Sequence, residues 1–378
     1  MIHVRLLLGE ARSDTRRGAA GVDRKLGAAG VARQLMASYT GYAACSRVPA
    51  AVLTLSTPSP ARELRMAITI QPLAQADLAE ADRIFRLAFG TFLGLSDPLA
   101  FTGTADIVPG RWRSDPTGAV GAYSDGTLVG SSLVTTWGSF GFLGPVSVRP
   151  DLWDRGVGRR LVQASMVVFD QRRTRHAALF TFPHSPKHIG LYQSFGFWPQ
   201  YLTAVMAKPV GSDIPPNSWS GYSALPASAQ ARCLQESSRL TDAVLPGLDL
   251  APEIRTIQDQ RMGETVLLRD GEVLAGLAAC HVGRGSEADA ATTYVKFAAV
   301  SPGREAQNRF DRLLLACEAL AAERGSRQLV AGVNTARHPA YRRMAECGFR
   351  TVLTGVAMQR PNDAGTNRPD CFVLDDWR

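Results

Sequence analysis

The sequence predicts a mixed α+β fold in two tandem copies, each with a mixed, largely antiparallel central sheet flanked by helices. Two observations carry this. Residues 148–197 lie over residues 300–349 at an offset of 152 without a gap. VRP falls on VSP, Arg160-Leu161 on Arg312-Leu313, Ala164 on Ala316, Arg172 on Arg324, and Gly196-Phe197 on Gly348-Phe349. Self-similarity at a fixed spacing marks a repeated structural unit. Upstream of each copy, YSDGTLVG and LRDGEVLAG set an Asp-Gly pair between apolar runs, which is a hairpin signal.

The first copy reads in order. MAITIQPL opens with an alternating strand over 68–71. The amphipathic run DLAEADRIFRLAF then forms a helix over about 77–89 with Asp77 as its N-cap. A Pro/Gly-rich loop runs through 115–118, and strands follow at 119–123, 128–136 and 140–148. Gly156 and Gly158 turn the chain into a helix reaching about Arg173. A strand HAALFTF, a short helix through SPKHIGLYQSF and a strand near 201–207 complete the copy. GSDIPPNSWSG is rich in Pro, Gly and Ser and reads as a linker. The resulting division is 66–210 for the first domain, 211–220 for the linker, 221–362 for the second domain and 363–378 for a C-terminal tail.

Residues 1–65 stand apart. They are rich in Ala, Gly and Arg, without a helical or strand period, and read as a disordered extension or a mis-assigned start before Met66. They also hold +6 of the chain's formal charge of +8, leaving only +2 for the rest. That distribution argues against a nucleic-acid footprint across the two domains. No apolar run approaches a membrane span, so neither nucleic acid nor membrane is expected as a partner. The six cysteines show no CxxC pair or metal-ligand spacing; no metal is expected, and a reducing, cytoplasmic setting fits best. Cys317 and Cys347 read as small core residues.

The chemistry concentrates at VRPDLWDRGVGRRL, residues 148–161. A helix N-terminus presents unpaired N–H groups and partial positive charge, which suit phosphate. Gly156 and Gly158 allow close backbone approach, and Arg155, Arg159 and Arg160 add charge. Leu161 occupies the third glycine position of a dinucleotide fingerprint, so that motif is not met.

The strand ending V-x-V-x-P at 146–150, the G-x-G turn and the later LY-x-x-x-GF at 191–197 together resemble the GCN5-related N-acetyltransferase (GNAT) family. The resemblance spans most of residues 67–208, and the offset repeat extends a weaker match to about 360. It implies tandem GNAT-like acyl-CoA N-acyltransferase folds and acetyl-CoA as co-substrate. Val146 and Val148 would offer backbone groups to the pantetheine arm and acetyl carbonyl. Arg155, Gly156, Val157, Gly158 and Arg159 would cradle the pyrophosphate. Tyr192 matches the family's general acid, and a phenol can protonate a departing thiolate.

The sequence departs from the family at two places. Trp153 stands where Gln or Arg is common, and packing beneath the loop is expected for it. Ser185 stands where Asn is often found; it stays in the cofactor-binding set and, with Pro186, reads as an N-cap and N1 pair. His188, beside His184 at that helix start, is the candidate base, with a water relay as the alternative.

The second copy places Asn308, Phe310 and Met344 at the positions of Gly156, Gly158 and Tyr192, so it is expected to be non-catalytic, with Phe310 blocking approach to the turn. Its DDWR end could present Asp375 or Asp376 to an amine, although surface placement alone would also explain them. The reading is an N-acetyltransferase acting on a small-molecule or peptide primary amine in a ternary complex. The alternative is a non-catalytic acetyl-CoA sensor. Homo-oligomerisation is left open.

Overall fold

Asp125 and Gly126 turn the chain between two apolar runs, and both take positive φ, 49° and 78°. That pair of left-handed residues matches the twist of a two-residue hairpin, joining β2 (Ala119–Ser124) to β3 (Thr127–Trp137). The computed structural model describes residues 67–211 and 219–378. Residues 1–65, most of the expected linker, and Met66 as an opening residue lie outside the described residues.

Around this hairpin the first copy runs β1 (Ile68–Pro72), α1 (Leu78–Phe92), α2 (Val108–Ser114), β2, β3 and β4 (Phe140–Val148). It continues through α3 (Val157–Gln171), β5 (His176–Thr181), α4 (Pro186–Gln193) and β6 (Trp198–Pro209). The apolar spacing of α1 buries Ala81, Ile84, Phe85 and Ala88 on one face. Two local expectations change. Asp77 makes no cap hydrogen bond; its carboxylate instead accepts from the Tyr123 hydroxyl at 2.7 Å. The loop before 115 contains α2, whose helical pattern is obscured by Pro109 and Gly110.

The second copy runs β7 (Ser220–Gly221), α5 (Ala227–Val244), α6 (Ala251–Asp259), β8 (Gly263–Asp270), β9 (Val273–Val282) and β10 (Thr292–Val300). Then come α7 (Ala306–Glu323), β11 (Gln328–Asn334), α8 (His338–Glu346), β12 (Arg350–Arg360) and β13 (Val373–Asp375). The repeat holds at the level of pairing. Phe140–Phe142 pair in parallel with His176–Ala178, and Thr292–Val295 pair in parallel with Gln328–Ala331.

The copies share one sheet, in the order β1-β2-β3-β4-β5-β12-β6-β11-β10-β9-β8-β7. Each copy's last long strand is exchanged. β12 lies between β5 and β6, and β6 lies between β12 and β11. The sheet therefore reads as a palindrome about the β12–β6 pair. At the seam, Trp137, Phe140 and Phe142 of the first copy share a core with Leu240, Ile254, Phe297 and Trp377 of the second.

The tail is part of this architecture. β13 pairs antiparallel with β10 at Phe297–Ala299, just beyond the point where β10 and β11 stop pairing. It also lies close against β11, where a side chain at Gly332 would overlap Asp376. Asp375 and Asp376 are therefore not surface acids available to an amine, as the sequence had allowed. Both are 1% exposed; Asp375 binds Arg337 at 2.6 Å, and Asp376 accepts from Tyr294 at 2.8 Å. Nor does Phe310 stand in an open cleft. Its ring is buried and packs 5.4 Å from Phe372, next to the wedged strand. Cys317 is buried as expected, whereas Cys347 is only half-buried.

A closed ion network ties α2 to the second copy. Arg111 donates to both oxygens of Glu287, at 2.9 and 2.6 Å, and to the Gly144 carbonyl at 2.8 Å. Lys296 bridges Glu287 and Glu253 at 2.8 and 2.9 Å. Burial pushes the Glu287 carboxyl up, but Arg111 and then Lys296 outweigh it and hold it well below its ordinary value. Its stabilising contribution is complete above the ordinary carboxylate range and is lost as pH falls toward the folded value. Arg111→Met leaves a buried carboxylate with one cation fewer, and a loss of roughly 3–5 kcal/mol is expected in urea unfolding at neutral pH. A loss below about 1 kcal/mol would show that Lys296 alone suffices.

Candidate active site

Beyond Phe142, β4 has no partner on its β5 side among the described residues, so the two parallel strands part toward their C-terminal ends. A bulge between Leu143 and Val146 opposes Ser132–Val134 and bends the strand there. The Arg149 N–H donates to the Val129 carbonyl at 2.9 Å. In an antiparallel pair these bonds alternate, so Val148, opposite Gly130, and Val146, opposite Ser132, turn their backbone groups away from β3 and into the gap. One of those groups is already engaged. The Trp153 indole N–H donates to the Val148 carbonyl at 2.8 Å. Trp153 thus ties the turn to the strand end, a more specific role than packing beneath the loop. The Val146 groups and the Val148 N–H face the gap.

At its mouth, α3 begins without a side-chain cap. Gly156 is its N-cap residue at φ 79°, a left-handed conformation that favours glycine. The first intrahelical bond runs from Arg160 N to Gly156 O, so the N–H groups of Val157, Gly158 and Arg159 have no helical partner. A Cβ at Gly156 would meet nothing within 4 Å. One at Gly158 would only graze Val148 and Leu191, at 3.9 and 4.0 Å. Packing therefore does not require the bareness of Gly158.

The arginines divide. Arg155 is exposed. Arg159 donates to Ser194 at 3.0 Å and lies over the Phe195 ring, 5.2 Å from its centroid. Lys187, which sequence reasoning missed, reaches from α4 to pair with Asp154 in the turn. Nothing local in the sequence signals that contact, because the partners sit on different elements.

Ser185 caps α4, accepting from His188 N at 3.4 Å. His188 and Tyr192 stand one turn apart on one face of α4. Tyr192 is half-buried, burial pushes its phenol up to about 12, and its hydroxyl has no hydrogen-bonding partner among the described residues. Burial lowers the pKa of His188, with the charges of Lys187 and His184 adding to the effect, which favours a neutral imidazole. The ring of His188 lies 5.0 Å from that of Phe92 at the end of α1.

The gap is approached from two sides. β2 and β3 turn Tyr123, Leu128 and Leu133 toward α1, and Ala122 and Val129 toward α3. Adjacent strand residues face opposite ways, so α1 and α3 lie on opposite faces of the sheet.

An open strand pair, a bulged β4 and an uncapped glycine turn thus meet at one end of the first copy's sheet. Residues 85–197 match the model of the acetyltransferase (GNAT) family. The match covers the first copy from within α1 to the turn before β6. A Pyrococcus horikoshii protein named as a candidate acetyltransferase is similar in structure, with a TM-score of 0.60 at 12% identity, over 85% of this chain and 99% of that one. A GCN5-related N-acetyltransferase from Sphaerobacter thermophilus gives 0.50 at 16% identity, over 78% and 95%. A fungal multi-domain β-N-acetylglucosaminidase with a GCN5-related glucosamine N-acetyltransferase region gives 0.53 at 12%, over 78% and 38%. These likenesses show the fold. No curated protein matches the chain. Among the described residues no helix is long and apolar enough to cross a membrane.

Proposed function

We infer that the first copy transfers acetyl from acetyl-CoA to a primary amine by direct attack in a ternary complex. The observation that carries this is the uncapped α3 N-terminus, with Gly158 bare for no packing reason, beside the parted strands. The N–H groups of Val157, Gly158 and Arg159 receive the pyrophosphate, with Arg155 adding charge. Ser185 contributes by fixing the start of α4 beside the pantetheine arm. The arm pairs with Val146, and the Val148 N–H holds the oxyanion.

The amine nitrogen attacks the thioester carbonyl, and the tetrahedral intermediate collapses by breaking the C–S bond. The electron pair leaves on sulfur, and the Tyr192 phenol supplies the proton that makes the free thiol. The nitrogen's surplus proton passes to His188 directly or through water. With its pKa near 12, Tyr192 keeps its proton throughout the working range. The alkaline side of a rate profile then reports the amine and the base rather than the phenol.

Tyr192→Phe is expected to lower kcat by roughly 10²–10⁴-fold with acetyl-CoA affinity unchanged, measured by CoA release and by calorimetry. An unaltered kcat removes Tyr192 from the reaction. A wild-type chain that binds acetyl-CoA without turning over any amine is instead a sensor.

A further inference from the structure

An aromatic surface that the transfer chemistry does not use stands at the mouth of the gap. Phe182 lies four residues beyond the last residue of β5 that pairs with β4. Its ring is 5.0 Å from Phe92 and 5.8 Å from His184. Phe92 in turn stacks on His184 at 5.5 Å, with an interplanar angle of 19°, and contacts His188 at 5.0 Å. Phe182 is buried, but the rings in front of it are not sealed in a core. Phe92 and His188 are half-buried, His184 is exposed, and Leu99, on the loop after α1, is 46% exposed. The group extends from α1, whereas the phosphate-type turn begins α3 on the opposite face. A cofactor entering from the α3 side leaves the α1 side for the second substrate.

The charge around these rings is equally informative. The rings bring no carboxylate. Of two acids in the surrounding loops, Asp154 pairs with Lys187, while Asp97 accepts only from Leu99 N, at 3.1 Å. The charged group contributed by the start of α4 is the cation Lys187. A polyamine or aminoglycoside would bring several positive charges to a surface that already carries Lys187 and offers Asp97 as an exposed carboxylate. A flat apolar group would instead find edge and face contacts of the kind aromatic rings prefer.

We propose that the acceptor is a primary amine carried on an aromatic body, an arylalkylamine type of substrate, whose ring lies against Phe92 and Phe182 while its amino group reaches His188. This rests on the acetyltransferase reading above and narrows its acceptor. The test uses the full chain with acetyl-CoA and compares CoA release for 2-phenylethylamine and tryptamine against spermidine and kanamycin. The aryl amines are expected to exceed the polycations in kcat/KM by at least about tenfold, and Phe92→Ala to raise their KM by about tenfold while acetyl-CoA affinity holds. In parallel, saturation-transfer NMR of 2-phenylethylamine reads ring binding without turnover, with signal expected from wild type and lost in Phe92→Ala. Preferred turnover of spermidine or kanamycin overturns the proposal, as does absence of ring binding. A chain that binds no acetyl-CoA overturns the underlying reading instead, and the NMR result still judges the aromatic site.

Discussion

Gly158→Phe is expected to weaken acetyl-CoA binding by at least about 100-fold, the loss of one or two charge-assisted hydrogen bonds. The substitution installs the residue found at the same place in the second copy, Phe310. In that copy the ring is buried against Phe372. In the first copy the position is half-buried, with only Val148 and Leu191 near a Cβ. A phenyl group there would project across the N–H groups of Val157, Gly158 and Arg159 and hold a pyrophosphate away from them. The fold should survive, because Gly158 is helical and any non-proline side chain raises helix propensity. Calorimetry with acetyl-CoA reads the affinity, and circular dichroism confirms the fold. Gly158→Ala should fall between wild type and Gly158→Phe. Undiminished affinity in a folded Gly158→Phe protein would place the phosphates elsewhere and remove the main support for the proposed cofactor site.

What could be read from residue order was local. The hairpin at Asp125-Gly126, the three strands that follow α2 and the glycine turn depend on neighbours a few residues apart, and they stand where the sequence put them. The pairing of Ser185 with Pro186 also produced the expected cap. Asp77 failed for the opposite reason: a competing donor, the Tyr123 hydroxyl, arrives from a strand 46 residues away. Trp153 was visibly out of pattern, but its bond to the Val148 carbonyl needed the strand end in place. DDWR reads as a polar end by composition, and its burial depends on Arg337, Tyr294 and Arg378 as partners of the two acids. Of the candidate site, the glycine turn into α3 and the place of Tyr192 on α4 could be read in advance. Lys187 and the rings around Phe92 could not, because their partners come from other elements.

Chain residues 66–210, expressed alone, are expected not to fold as a monomer, although they contain every residue proposed for acetyl transfer. The reason is the strand exchange. Among the described residues β6 pairs only with β11 and β12, both from the second copy, so the fragment leaves it without a neighbour on either side. β5 keeps β4 only through Phe140–Phe142 and loses its pairing with Val356–Arg360. Ala204 and Met206, buried in the second copy's core, would meet water, and so would Trp137 and Phe142 at the seam. Unpaired strand edges beside apolar surface promote association between chains. Size-exclusion chromatography should therefore show aggregate, without a cooperative melt. Supplying residues 219–378 as a separate chain should restore a one-to-one complex, because it returns β11, β12 and the wedged β13 together. A fragment 66–210 that is monomeric and melts cooperatively would mean that β6 finds a partner within its own copy. On the exchanged architecture, the second copy keeps its place through the strand it lends to the first. That obligation is physical and holds even though its own cleft is filled by β13 and its counterparts of Gly158 and Tyr192 are Phe310 and Met344.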